Sequence, residues 1–232
     1  MNETTSPASE GTLQWSSIVV RGPDSEQFLQ GQLSQDLGHV PDGGLWALVL
    51  QPDSVVITSV RVTTLDDGFA LTLPRALGDA TLARLRRFLL RTKCALELAD
   101  AVAGPFVTLD DQIRAGVPGP AEFAKSLTPH CFGPSFVAAT ISFTKGCFTG
   151  QELVGRLDAR GSSVPWRLVR GAGVSVERIA EVLASKGPSG PQGVTSVARV
   201  DDSVRVLGIA HRTLLDETWL AQYPDVRVES IP

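Results

Sequence analysis

Alternating apolar and polar positions in the first hundred residues predict an antiparallel sheet. The segments rich in β-branched residues or showing this alternation are Trp15–Val20, Leu45–Leu50, Val55–Thr64, Phe69–Leu73 and Lys93–Leu98. Asp66-Asp67-Gly68 between the third and fourth of them is a hairpin turn signal, and hairpin connections join antiparallel strands. The first half of the chain is therefore predicted to be built on a mostly antiparallel sheet.

Two helical patterns interrupt these strands. The first covers Ser25–Leu33, with Asp24 as its N-cap and Gln27 in capping-box position. The second follows Pro74, where apolar residues recur near a 3.6-residue period and Arg84 is one of several arginines expected on a solvated face. This order of elements is typical of an α+β fold, and we expect it to be ferredoxin-like.

The second half of the chain divides into a broken stretch and a β-rich end. Glycine and proline punctuate residues 99–135 and exclude long elements there. Further helices are predicted at Gly150–Leu157 and Ser175–Ser185, and strands at Val164–Arg170, Val194–Val200, Val204–Ala210 and Val226–Ile231. We expect a polar, disordered tail over residues 1–11, an α+β domain over residues 12–165 and a small β-barrel-like domain over residues 166–232.

Composition and charge narrow the class of protein. The chain has 232 residues, of which 43% are hydrophobic and 20% charged, and this balance excludes disorder of the whole chain. A net charge of −4 argues against strong generic binding to nucleic acid, although 17 of the 21 basic residues are arginine and a local arginine cluster stays open.

Cysteine usage and the lack of long apolar runs suggest a compartment. The three cysteines, Cys94, Cys131 and Cys147, have no C-x-x-C spacing, so neither a disulfide framework nor a metal site is predicted. No signal-peptide pattern or membrane-length apolar run occurs, so we expect a cytoplasmic protein without membrane contact.

The densest group of chemically distinctive residues lies between Lys145 and Glu152. If a helix begins near Gly150, its dipole and the nearby Lys145 would favour the Cys147 thiolate. A free cysteine equally often only packs, and Gly146 and Gly150 have a plain explanation as positions of positive φ. Spacing alone leaves both roles open.

This segment resembles a family signature. The run K-G-C-F-T-G-Q-E matches the K-G-C-[FY]-x-G-Q-E motif of the YgfZ family, folate-binding proteins related to the glycine-cleavage T-protein, GcvT. The matching functional positions here are Lys145, Gly146, Cys147, Phe148, Gly150, Gln151 and Glu152. The resemblance implies a GcvT-like α+β fold with a small C-terminal β-barrel.

The resemblance also implies a function and partners. It indicates a non-enzymatic tetrahydrofolate-binding protein that supports assembly or repair of iron–sulfur clusters, and through it tRNA modification. Its partners would be iron–sulfur client or assembly proteins. Trp15 stands where relatives place a folate-contacting tryptophan, and Arg156 and Arg160 would meet the carboxylates of the folate tail. Trp15 equally suits a core position, and the arginines equally suit pairing with Glu152 and Asp158.

The sequence departs from the family pattern at three places. Residues 99–112 alone connect the predicted strand Lys93–Leu98 to the segment that begins at Ile113. Relatives join the matching segments through a further subdomain, so we expect the middle subdomain to be reduced here. Arg114 replaces an acid that holds the pterin in T-proteins, and Thr58 and Ser59 stand near the position of their catalytic aspartate. Aminomethyl transfer is therefore not expected.

Two alternatives stay open beside the accessory role. One is a folate-independent interaction module that has lost its ligand. The other is a one-carbon transferase that uses Glu152 or Asp36 as its acid or base.

Overall fold

Five strands form an antiparallel sheet in the first half of the protein. The computed structural model describes residues 12–101, 103–161, 164–200 and 202–232, so the predicted tail over residues 1–11 lies outside the described residues. The elements of this half are β1 (Trp15–Arg21), α1 (Ser25–Gln32), β2 (Leu45–Leu50), β3 (Val56–Leu65), β4 (Gly68–Pro74), α2 (Gly78–Arg86) and β5 (Ala95–Asp100). The strand order is β2-β3-β4-β1-β5, and every neighbouring pair is antiparallel.

The two helices cover one face of this sheet. Ile18 and Leu71 are paired across β1 and β4, and both belong to a buried cluster that also contains Leu29 of α1 and Leu85 of α2. Strand side chains alternate between faces, so Ser17 and Thr72, on the opposite face, are only half-buried. The α+β class and the antiparallel sheet are confirmed. Helices α1 and α2 both lie on the same face of this sheet.

Two local predictions in this half are wrong. Asp24 occupies the N-cap position of α1 as predicted, but the capping box does not form, because Asp24 Oδ2 accepts a hydrogen bond from the backbone N–H of Lys93 at 2.7 Å. Arg84 is buried rather than solvated, and it donates to the carbonyl of Leu50 at 3.1 Å. Burial lowers the pKa of Arg84. Both partners are distant in sequence, so local patterns could not reveal them.

Short helices fill the middle of the chain. These are α3 (Leu109–Ala115), α4 (Pro120–Phe123), a 3₁₀ turn (Pro129–Phe132), α5 (Pro134–Thr140) and α6 (Gln151–Ala159). Phe132 and Ile113 are fully buried in a second cluster, which takes Leu48 from β2 and Leu168 and Ile209 from the C-terminal half. This shared core joins the two halves of the protein.

A second antiparallel sheet forms the C-terminal half. Its elements are β6 (Trp166–Gly173), α7 (Val176–Ala184), β7 (Gly193–Val200), β8 (Ser203–His211), α8 (Glu217–Leu220) and β9 (Val226–Ser230). The strand order is β7-β8-β6-β9, and α7, capped by the Ser175 side chain, packs on one face. The predicted β-rich unit is confirmed, whereas barrel closure and the domain boundary at residue 165 stay predictions. None of the helices in the described ranges has the length and apolarity needed to span a bilayer.

Candidate functional site

The segment 141–150, hereafter the cysteine loop, connects α5 to α6 and is anchored near its middle by Lys145. The Lys145 Nζ donates to the backbone carbonyls of Gln30, Leu33 and Gln35, each at 2.9 Å. These carbonyls lie at and just beyond the C-terminal end of α1, where helix carbonyls lack intrahelical partners and the dipole favours a cation. The ammonium therefore fixes the cysteine loop to α1.

The protonation of Lys145 reflects its half-buried position. Burial lowers its pKa to about 8, and the opposing attraction of Asp36 is weaker. Because that value lies above neutral pH, the ammonium form predominates at pH 7. An ammonium has three donors, and Lys145 uses all three on carbonyls, so none is left to stabilise a Cys147 thiolate by a hydrogen bond. The hydrogen bonds of Lys145 thus serve the loop backbone, and the predicted electrostatic support of the thiol stays a prediction.

The C-terminal end of the cysteine loop is anchored at two further points. The backbone N–H of Thr149 donates to the carbonyl of Gly31 at 3.1 Å, and Ser54 Oγ donates to the carbonyl of Gly150 at 2.5 Å. Gly150 has φ +83°, and a Cβ there would lie 2.5 Å from the carbonyl oxygen of Gln51. Only glycine fits this position without strain.

Gly146 and Cys147 stand clear of these anchors. Gly146 does not have positive φ, and a Cβ built on it would meet no atom within 4 Å, so the explanation by backbone conformation holds for Gly150 alone. Cys147 is exposed, whereas Cys131 is buried and Cys94 is half-buried. Phe148, the next residue, returns to the core. The cysteine loop thus presents one thiol to solvent between fixed ends.

Helix α6 begins directly after the cysteine loop. The side-chain oxygen of Gln151 accepts a hydrogen bond from the backbone N–H of Phe148 at 3.1 Å, which ties the loop to the first turn. Glu152 pairs with Arg156 on the exposed surface of the helix. Arg160 is exposed and has no ion-pair partner among the described residues. Gln151 therefore has a structural role. Arg156 pairs with Glu152, which is the surface ion pair that the sequence allowed as an alternative to folate binding.

Trp15 lies in the N-terminal sheet, away from α6. Its indole N–H donates to the carbonyl of Phe106 at 2.9 Å, and a Cβ at Gly104 would lie 2.1 Å from the ring. In the described part of the chain, no hydrogen bond or ring contact joins Trp15 to Arg156 or Arg160. The three predicted folate contacts therefore do not bond to one another directly, and their role stays a prediction.

A row of side chains crosses the face of the N-terminal sheet that lies opposite α1 and α2. Strand register places Trp46, Arg61, Thr72, Ser17 and Ala99 side by side on β2, β3, β4, β1 and β5, and we call this the open sheet face. None of the five is buried, and Trp15 lies on the same face two residues from Ser17. Three strand spacings separate β2 from β1, so these two strands lie about 14 Å apart.

A small cavity lies at the Trp46 end of the open sheet face. Its volume is about 160 Å³, and it is lined by Trp46, Ser59 and the backbone turn Ala115–Val117 together with α5. Trp46 is not among the site residues predicted from the sequence. The one signal for it was an aromatic side chain on a predicted strand. Thr58 is fully buried and Ser59 reaches this cavity, so no carboxylate stands there, as the sequence predicted.

Arg114 does not take the place of a pterin-binding acid at this cavity. Its guanidinium pairs with Asp110 and lines a separate recess in the C-terminal half. Asp36 is also occupied, because it accepts hydrogen bonds from the N–H of Gly38 and the side chain of Gln30, and these lower its pKa. An ionised, hydrogen-bonded carboxylate of this kind is a weak general base.

Comparisons with known proteins agree with the sequence signature and the fold. No known protein-family model matches the chain. It is 25% identical over 222 aligned positions to the tRNA-modifying protein YgfZ of Klebsiella pneumoniae, covering 64% of this chain and 67% of that protein. The YgfZ protein of Cronobacter sakazakii is 24% identical, with 64% and 66% covered. The chain thus spans about two thirds of the length of these relatives.

A solved structure supports the fold independently. The aminomethyltransferase T of the glycine cleavage system from Bartonella henselae superposes with a TM-score of 0.56, covering 89% of this chain and 80% of that one at 14% identity. At this identity the likeness establishes the fold alone. The resemblance to the YgfZ family is confirmed, and the chain is a shortened relative of these proteins with the fold of the glycine-cleavage aminomethyltransferase.

Proposed function

We propose that this protein is a non-enzymatic, tetrahydrofolate-binding accessory factor that supports iron–sulfur cluster assembly or repair, and through it tRNA modification. The observation that carries the proposal is the cysteine loop, in which an exposed Cys147 lies between Lys145 and Gly150, both fixed by long-range hydrogen bonds. A loop that only packs would bury its thiol, since free cysteine is among the most buried residue types. The relatives are named tRNA-modifying proteins, which favours a role in tRNA modification.

The open sheet face supports the folate part of the proposal. Folate is long and flat, with a pterin ring at one end and a glutamate at the other. Trp46 and Trp15, on strands that lie about 14 Å apart, offer aromatic surfaces for its two ring systems, and Arg61 on a strand between them offers a cation. Ser59 in the cavity at the Trp46 end supplies a hydroxyl that can donate or accept at a ring edge.

The size of the cavity restricts how a folate binds. A volume of about 160 Å³ lies below the roughly 300 Å³ at which pockets that enclose drug-sized ligands begin. The cavity therefore takes one end of the molecule, and the remainder lies along the open sheet face. Arg160, exposed on α6, stays a predicted contact for the folate tail.

The same size favours a second candidate function. With a cavity of this size and no acid lining it for the pterin, the protein can act as an interaction module, in which the open sheet face receives a protein. The absence of a carboxylate among the residues lining the cavity also disfavours the one-carbon transferase. We rank the folate-dependent accessory role first because the cysteine loop holds an exposed thiol between two anchored residues, Lys145 and Gly150.

The test of this proposal is complementation with single cysteine variants. In a strain lacking this gene, the fraction of tRNA that carries a modification made by an iron–sulfur enzyme is measured. Cys147→Ser is expected to fold normally and to fail to restore the modification. Cys94→Ser, at a half-buried cysteine outside the loop, is the matched control and is expected to restore it. Full restoration by Cys147→Ser would remove the thiol from the proposal.

A further inference from the structure

Four arginines surround a recess between α3 and the C-terminal sheet, which we call the arginine recess. Its volume is about 220 Å³, and the side chains that line it are Arg114, Arg170, Arg205, Arg227 and Glu229, over a floor that includes Ala172. This is a local cluster in a protein whose net charge is −4. Neither the cysteine loop nor the open sheet face contributes to it.

Strand register explains why these side chains converge. Ala172 of β6 is paired with Arg205 of β8 on one side and with Arg227 of β9 on the other. Directly paired residues point to the same face of a sheet, so two guanidinium groups flank one small methyl group. Arg170, two residues earlier on β6, points to this same face. The short side chain of Ala172 leaves the space between them open.

Helix α3 closes the recess from the other side. Arg114 Nε donates to Asp110 Oδ2 at 2.6 Å, and Arg205 Nη1 donates to Asp110 Oδ1 at 2.9 Å. The guanidinium of Arg170 donates to the backbone carbonyl of Arg114. Burial would raise the pKa of Asp110, but its bonds to Arg205 and Arg114 outweigh burial and lower it, so this carboxylate is ionised at neutral pH.

The charges of the recess do not balance. Asp110 is shared by Arg114 and Arg205, and Glu229 pairs with Arg170. Among the residues that the structure describes, Arg227 has no ion-pair partner. Four cations and two anions leave a net charge of +2 around one small space. The half-buried side chains of Arg170 and Arg205 hold part of this charge where solvent screens it least.

We propose that the arginine recess binds a phosphate dianion, either free or as the terminal group of a small phosphate ester. A dianion neutralises the net charge of +2, and its tetrahedral oxygens can accept from guanidinium groups on several sides, whereas a carboxylate is satisfied by one bidentate arginine. A volume of about 220 Å³ holds a single phosphate group and not the extended backbone of a nucleic acid. This proposal does not depend on folate binding.

The experiment is a ³¹P NMR and calorimetric titration at low ionic strength in a phosphate-free buffer. Inorganic phosphate and ribose 5-phosphate distinguish the free ion from an ester, and succinate and a short single-stranded RNA are the contrasting probes. We expect phosphate or the ester to bind, with succinate at least about tenfold weaker. Equal binding of succinate, binding of RNA alone, or no binding of either phosphate compound would overturn the proposal.

Two variants change the affinity in opposite directions. Arg227→Ala is expected to weaken phosphate binding about tenfold, because it removes the unpaired cation. Glu229→Gln is expected to tighten it severalfold, because it raises the net charge and releases Arg170. Arg75→Ala, at an exposed arginine paired with Asp100 in the other sheet, is the matched control and leaves the affinity unchanged. Unchanged affinity in both recess variants, with circular dichroism showing native folds, would refute the site.

Discussion

Replacing Lys145 with methionine removes the charge that fixes the cysteine loop but keeps most of the side chain's length and apolar stem. Three hydrogen bonds, each 2.9 Å long, are lost together. A hydrogen bond to a charged group contributes about 1.5–3 kcal/mol, but half-burial lets water replace part of each lost bond and spares the cost of desolvating the ammonium. We therefore expect the free energy of unfolding to fall by about 2–4 kcal/mol, a large loss for a single substitution.

The assay for Lys145→Met is urea denaturation at pH 7, followed by circular dichroism and read as the change in midpoint at constant m-value. Lys125→Met is the matched control, because Lys125 is also half-buried and its ammonium has no hydrogen-bond or ion-pair partner among the described residues. The control is expected to change the unfolding free energy by less than about 0.5 kcal/mol. An equally small loss in Lys145→Met would refute the view that this lysine anchors the loop.

Three further predictions concern stability. Gly150→Ala is expected to lower the free energy of unfolding by at least about 2 kcal/mol in urea denaturation, because of the positive φ and the contact with Gln51. Gly146→Ala, whose Cβ meets no atom, is expected to be nearly neutral, and equal losses in the two variants would contradict this. Glu122 is fully buried, burial raises its pKa, and its carboxyl oxygens accept hydrogen bonds from the N–H of Gly119 and the hydroxyl of Ser196. In melting experiments Glu122→Gln should therefore be tolerated, whereas Glu122→Ala should lower the free energy of unfolding by about 2–4 kcal/mol. Burial lowers the pKa of His130 in the folded protein, so the unfolded state binds the proton more tightly than the folded state does. The stability of the wild type should therefore fall as the pH drops below about 6.5. A His130→Phe variant whose stability falls equally with acid would refute this.

Local sequence signals predicted the elements whose causes are local. The turn at Asp66-Asp67-Gly68 joins β3 to β4 because a short polar loop ending in glycine suits a hairpin. Ser175 caps α7 because its hydroxyl needs only the N–H of Arg178, three residues away. The cysteine loop was also found from sequence, since its eight-residue signature is contiguous.

Features that depend on distant residues could not be predicted. The hydrogen-bond partners of Lys145 lie more than one hundred residues away, so its spacing to Cys147 gave no sign that this lysine anchors the loop to α1. The open sheet face and the arginine recess both arise from strand register, which pairs Trp46 with Arg61 and sets Arg227 beside Ala172. Register is fixed by the assembled sheets, and no periodicity in one segment reveals which residues of another strand will stand opposite.

The most direct test of the central claim is an anaerobic titration of tetrahydrofolate into the purified protein, followed by tryptophan fluorescence. The account predicts micromolar binding that weakens about tenfold in Trp46→Phe and in Trp15→Phe, because each loses aromatic contact on the open sheet face. Trp219→Phe, in the C-terminal half, is the control and should bind as the wild type does. No binding up to millimolar tetrahydrofolate, or equal binding by all three variants, would contradict the account and favour the folate-independent interaction module.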